Sequence, residues 1–238
     1  MRRMKRLLLC VALLAVAPVL RAQEPVQRTF SDDRSGFVVL TDVVPDALLE
    51  IRYHSTFNFV GERIDGYEEP VALLTREAAQ ALKKASDILM EQGYRLKIFD
   101  AYRPQRAVDH FKRWARDKDD RRMQPYFYPR VDKALLFSLG YVSSHSGHSR
   151  GSTLDLTIVD METGLEADMG GHFDLLDTRS HVDSPEVTPE QHARRMILRN
   201  AMGAAGFRPY EKEWWHFTLR GEPYPTTYFT FPVRAESN

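Results

Sequence analysis

Beyond Cys10 the 238-residue chain contains no cysteine. Everything after that position must therefore hold its shape without a disulfide, and no metal in it can rest on a thiolate. Apolar burial has to carry the fold. About 216 residues follow the first 22, enough for one domain with a substantial core and too few for two comfortable ones. No internal repeat and no low-complexity stretch divides them. Any metal must sit on His, Asp or Glu.

The opening residues read differently. Met1 to Arg6 is cationic, Leu7 to Leu20 is apolar and Ala22 is small, the three parts of a secretory signal peptide. Its apolar run of 14 residues is shorter than the about 20 that a bilayer-spanning helix needs. Leu20 is bulky for the position three before a cut, which blurs the boundary. Leu9 before Cys10 is not the small residue of a lipoprotein cut. The expectation is an exported chain, periplasmic or secreted, with no stable membrane span after cleavage. Without the five basic residues of the first 22, 28 basic residues face 33 acidic ones, a net charge of −5. That balance argues against a nucleic-acid partner. The expected organisation is a signal peptide at 1–22, a loose polar lead-in at 23–36 and one domain at 37–238.

Within that domain helices and strands alternate. Thr75 can cap a helix whose Ala78, Leu82, Ala85 and Leu89 recur at helical spacing, with Gly93 as a stop. Leu96, Ile98 and Phe99-Asp100 read as a strand, and Pro104 suits the first turn of a helix bearing Ala107, Val108, Phe111 and Trp114. Leu154 to Val159 is apolar and β-branched, as a central strand is. Thr188-Pro189-Glu190-Gln191 is a capping-box start to a helix that runs to about Ala205. Trp214 to Leu219 is expected to close the domain as its last strand. The predicted class is α+β, with a mostly antiparallel central sheet and flanking helices.

Chemistry concentrates where Gly and Ser surround histidine. In Ser146-Gly147-His148-Ser149-Arg150-Gly151-Ser152-Thr153-Leu154-Asp155 an imidazole in a bending loop precedes, by seven residues, a carboxylate on a strand. In Glu213-Trp214-Trp215-His216 a carboxylate and an imidazole sit three apart. His148, Asp155 and His216 together would make a two-histidine, one-aspartate set with an open position, as catalytic zinc uses. On residue types alone the competing reading stands, because a loop histidine is more often a surface or capping residue.

Those two strings, with Phe99-Asp-x-Tyr-Arg103-Pro104, Tyr53 with Asn58-Phe59-x-Gly61, and Met169-Gly170-x-x-Phe173-Asp174, resemble the D-alanyl-D-alanine dipeptidase (VanX-like) branch of the zinc D-Ala-D-Ala metallopeptidases. The likeness runs from about residue 45 to 220. It implies a Hedgehog/D-Ala-D-Ala peptidase-like fold and one zinc ion on His148, Asp155 and His216. It also implies Glu213 as general base, Arg103 beside the scissile carbonyl, Asp174 facing the ammonium of a D-Ala-D-Ala dipeptide, and Tyr53 and Ser146 lining the pocket. Zinc lowers the pKa of bound water to about 7, within reach of a carboxylate base. Arg103 has a structural alternative, a bidentate partner for Asp100, and Asp174 one as a loop cap. His145 is expected to play a loop or supporting part. Gly147 and Thr153-Leu154 depart from the family pattern, where position 147 can carry a hydroxyl and the later step is smaller. The function implied is hydrolysis of the free dipeptide in wall turnover or salvage. A carboxypeptidase acting on larger wall peptides, or a wall-fragment binding protein without turnover, are the alternatives.

Overall fold

The computed structural model describes residues 27–235, so the segment expected as a signal peptide lies outside the described residues. In chain order the elements are β1 (Thr29–Ser31), β2 (Phe37–Val39), α1 (Leu40–Val43), β3 (Leu48–Leu49), β4 (Leu73–Thr75), α2 (Arg76–Met90), β5 (Tyr94–Asp100), α3 (Gln105–Arg116), α4 (Gln124–Phe127), β6 (Thr153–Asp160), α5 (Pro189–Ala204), β7 (Phe207–Tyr210), β8 (Glu213–Leu219) and β9 (Thr227–Phe229). Single 3-10 turns lie at Arg52–His54, Lys133–Leu135, Gly147–Arg150 and Thr178–Ser180.

The main sheet runs β3-β5-β6-β8-β7, with β3 parallel to β5 and every other pair antiparallel. The run expected as a central strand is β6, flanked on both sides and buried along all but its last residue. Because side chains alternate along a strand, Leu154, Leu156 and Ile158 point to one side and Asp155 and Thr157 to the other. A register shift between Ile98 and Asp100 then sets Asp100, and not Phe99, opposite Asp155. On the other flank Asp155 pairs with His216. A bulge of this kind re-aims side chains at a strand end, and here it gathers Asp100, Asp155 and His216 on one row.

The caps came as expected. Thr75 Oγ1 accepts from the N–H of Ala78, and Thr188 and Gln191 form a complete capping box on α5. Pro104 is the N-cap of α3 and not its first helical residue, a shift of one position. Helices α2 and α5 pack on each other and on the sheet. None of the described helices is long and apolar enough to cross a membrane.

Two expectations are corrected. The lead-in is not loose throughout, because Thr29–Ser31 form β1, paired in parallel with β9. The strand at Trp214–Leu219 is not the last, because β9 follows it. Three-residue strands leave too little periodicity to be read, and here a pairing partner almost 200 positions away makes the strand. Phe229 and Phe231, buried after that crossing, pack edge-on against Phe37 at 4.8 and 4.9 Å between ring centres.

Candidate active site

His148 owes its place to a tight turn. Ser146 Oγ accepts the His148 backbone N–H at 3.2 Å, and Gly151 ends the turn in the left-handed region at φ +80°. A Cβ at Gly151 would lie 2.2 Å from the Phe37 ring, so only glycine lets the chain pass from His148 into β6 here. His148 Nδ1 lies 2.7 Å from the carbonyl oxygen of Ala101. A carbonyl can only accept, so Nδ1 carries the proton and Nε2 presents its lone pair.

That lone pair meets two others. His148 Nε2 lies 3.3 Å from Asp155 Oδ2 and 3.3 Å from His216 Nδ1, and His216 Nδ1 lies 3.1 Å from Asp155 Oδ1. Among the described residues these three are the group able to offer ligand atoms to one ion, all within 4.8 Å of one another. Asp155 Oδ1 is buried and receives no hydrogen bond. Burial pushes the Asp155 carboxyl up, but His148 and His216 outweigh it and hold it well below the usual range. Burial pushes His216 down, which keeps its nitrogen free to donate a lone pair. Two imidazole nitrogens and a carboxylate, one oxygen of which lacks a donor, fit a divalent cation of the zinc type.

The surrounding charges point the same way. Asp100, Asp155, Asp174 and Glu213 are all buried, and Arg103 is the permanent cation among them. Burial, followed by the charge of Asp155, pushes Asp174 up to about 8, and burial with Asp155 and Asp174 pushes Glu213 well above a normal glutamate. Glu213 opens β8, with Oε2 3.4 Å from His216 Nδ1. Arg103 pairs with Asp100, as its structural alternative had it, but through one oxygen and not as a two-oxygen bidentate pair: Nε donates to Oδ2 at 2.9 Å, Nη2 lies 2.8 Å from the same atom, and Oδ1 is taken by Tyr67. It also lines the cavity that holds the metal-type cluster, so the two readings of Arg103 are compatible.

Tyr53 donates its hydroxyl hydrogen to Asp174 Oδ2 at 2.9 Å. Asp174 is the one described non-glycine residue with positive φ, at 62°. Such a conformation costs energy and collects at working sites. Its side chain is buried and lines the cavity, which a loop-capping aspartate has no reason to do. A cavity of about 650 Å³ takes in Tyr53, Arg103, Ser146, His148, Asp155, Asp174, Glu213 and His216 together. All eight residues singled out from the sequence therefore meet in one place. Ser146 is present as a cap, with its hydroxyl occupied by His148 N–H.

The raised Asp174 gives a sign that can be checked in metal-free protein. The folded chain keeps this proton up to about pH 8, whereas the unfolded chain releases it in the ordinary carboxylate range. Between those limits the folded state binds more protons, so stability falls as pH rises, by up to about 1.4 kcal/mol per unit, and levels off above. Urea unfolding of chelated protein from about pH 5 to 9 should show this fall, and Asp174→Asn should reduce it. Parallel curves for the two proteins would reject the assignment.

His145 borders the cavity but joins no ligand group, and its ring nitrogen bonds Ser144 Oγ. The two departures from the family pattern turn out to be one. A Cβ at Gly147 would come 2.8 Å from Thr153 Oγ1, which is tied to Thr218 Oγ1 at 2.9 Å, so the larger Thr153 is accommodated by the bare Gly147. Three residues of weight were not marked by any pattern. Tyr67, Tyr141 and Tyr210 are lone aromatics in the sequence, and only folding places them at or behind the cavity.

A family model described as D-ala-D-ala dipeptidase matches residues 33–234. A D-alanyl-D-alanine dipeptidase of Enterococcus faecium is 41% identical over 199 residues, covering 84% of this chain and 98% of its own. One of Streptomyces coelicolor is 42% identical over 197 residues, covering 83% and 98%. One of Escherichia coli is 36% identical over 187 residues, covering 79% and 86%. With the site assembled and the match running through every element that builds it, the chain belongs to the D-ala-D-ala dipeptidase family of peptidases.

Proposed function

We propose that this chain hydrolyses the free dipeptide D-Ala-D-Ala to two D-alanines, with one zinc ion held by His148, Asp155 and His216. The observation that carries this is the meeting of three lone-pair donors with the buried carboxyl of Glu213 at one cavity wall. A divalent cation there would polarise the scissile carbonyl and make an attacking water acidic near neutral pH.

The protein's own groups supply the rest. Glu213, as an ionised carboxylate, takes the proton of the attacking water and returns it to the leaving amine nitrogen. Arg103 keeps its charge at any working pH and offers donors where negative charge grows on the carbonyl oxygen, a contribution of about 3–4 kcal/mol for one such donor. Asp174 receives the substrate ammonium. Its carboxyl holds a proton in the metal-free cavity, so an arriving cation displaces that proton and leaves an ion pair. A longer peptide brings no charge to that point, so the proton stays, no ion pair forms and that binding energy is lost. Tyr53, through its bond to Asp174, fixes the carboxylate's direction. The reading also includes the Hedgehog/D-Ala-D-Ala peptidase-like fold. It includes export by residues 1–22 too, which would suit salvage of dipeptide from cell-wall turnover.

Incubation of zinc-loaded protein with D-Ala-D-Ala, its N-acetylated form and a wall pentapeptide ending in the same two residues tests this. Hydrolysis of the free dipeptide, with little or none of the acetylated one, is expected. Cleavage of the pentapeptide alone would make the enzyme a carboxypeptidase and reject the proposal.

A further inference from the structure

Behind Arg103 lies a buried arrangement that the reaction as described does not use. Asp100 is fully buried: its Oδ1 accepts the Tyr67 O–H at 2.6 Å and its Oδ2 the Arg103 Nε–H at 2.9 Å, while Arg103 Nη2 lies 2.8 Å from the same Oδ2 and 3.5 Å from Asp155 Oδ2 as an ion-pair contact. The guanidinium carbon of Arg103 stands 4.8 Å from the centre of the Tyr53 ring and 5.2 Å from that of Phe111. Its Nη1 makes no hydrogen bond among the described residues. One edge of the fork is thus clamped and the other is left over for a ligand.

Tyr67 is itself held from a distant part of the chain. It bridges to Val233, whose N–H donates to the Gly66 carbonyl at 2.8 Å and whose carbonyl receives the N–H groups of Glu68 and Glu69 at 3.0 Å each. Tyr67 is buried, so its hydroxyl has no water to turn to, and the bond to Asp100 fixes both groups. An isolated carboxylate at this depth would lose its charge or turn away, and a single guanidinium bonded to one of its oxygens leaves the other in need of a donor.

We infer that Tyr67 and Asp100 are positioning residues for Arg103, and that the C-terminal segment around Val233 holds Tyr67 in place. The chain Val233–Tyr67–Asp100–Arg103 fixes the guanidinium before substrate arrives, so that its free edge meets the carbonyl oxygen without rearrangement. This rests on the role of Arg103 in the proposed dipeptidase reaction, but the clamp itself can be tested without that reaction.

Tyr67→Phe removes one oxygen and leaves the ring. In metal-free protein, the Arg103 Nε–H resonance, assigned by its loss in Arg103→Lys, should be shifted and protected from solvent exchange in the parent. It should exchange at least ~10-fold faster in Tyr67→Phe. With zinc and D-Ala-D-Ala, kcat should fall about 10- to 100-fold while KM changes less than about 3-fold and metal content stays the same. Asp100→Asn should give a larger loss of the same kind, and serves if Tyr67→Phe does not fold. An unchanged Nε–H signal with unchanged kcat in a folded variant overturns the inference. A signal protected in the parent and faster-exchanging in Tyr67→Phe, with a parent protein that does not cleave D-Ala-D-Ala, would instead leave the clamp standing and overturn the proposed reaction.

Discussion

Asp155→Asn should leave a folded protein that no longer retains metal and no longer hydrolyses dipeptide. Asp155 stands between the two imidazoles, 3.3 Å from His148 Nε2 and 3.1 Å from His216 Nδ1, and neither histidine can take over its charge. The amide keeps the volume on the central strand but contributes a neutral oxygen to a divalent ion. Changes to groups that merely support ligands cost roughly 10- to 100-fold in affinity, so loss of the one charged ligand should exceed about 100-fold. After dialysis the parent is expected to hold about one zinc per chain, and the variant fewer than roughly one in ten chains. Circular dichroism guards against misfolding. A folded variant that still binds zinc one to one would show that the ion, if any, sits elsewhere, and the proposed function would fall with it.

Why so much of this site could be read in advance follows from local chemistry. Ser146 to Asp155 compress a cap, a buried imidazole, a left-handed glycine and a buried carboxylate that meets that imidazole into ten residues, so the pattern and the geometry coincide. The same holds for the capping box at Thr188 and for the continuous burial of β6. What could not be read depends on distant partners. The shift at Phe99 that turns Asp100 towards Asp155 is set by pairing with β6, and β1 exists because β9 lies beside it. Tyr67 is the clearest case, because its neighbours in sequence give no hint of Asp100 or Val233. Trp214 and Trp215, neighbours on β8 and so on opposite faces of the sheet, are both buried, because β8 lies between β6 and β7. Asp174 was legible only by resemblance, since one aspartate after two glycines is an ordinary turn until its buried side chain and positive φ are seen.

Glu213→Gln separates a working glutamate from a structural one, because the two roles predict opposite signs. Glu213 lies outside the ligand group, so the variant should keep its metal. Loss of a general base should lower kcat by about 10²- to 10⁴-fold with KM within a few-fold. Stability should move the other way. Burial first, and then the negative charges of Asp155 and Asp174, disfavour the ionised carboxylate in metal-free protein. The folded state therefore clings to a proton that the unfolded chain gives up, and stability is lost as pH rises above the ordinary glutamate range. A neutral amide has no such proton to lose. Chelated Glu213→Gln is expected to be as stable as the parent near pH 5 and more stable near pH 8, measured by urea midpoints. A glutamate kept for structure would cost stability on replacement and spare kcat. An acid that weakens the empty fold and is indispensable to turnover is retained for its chemistry, and a variant both less stable and fully active would overturn that role for Glu213.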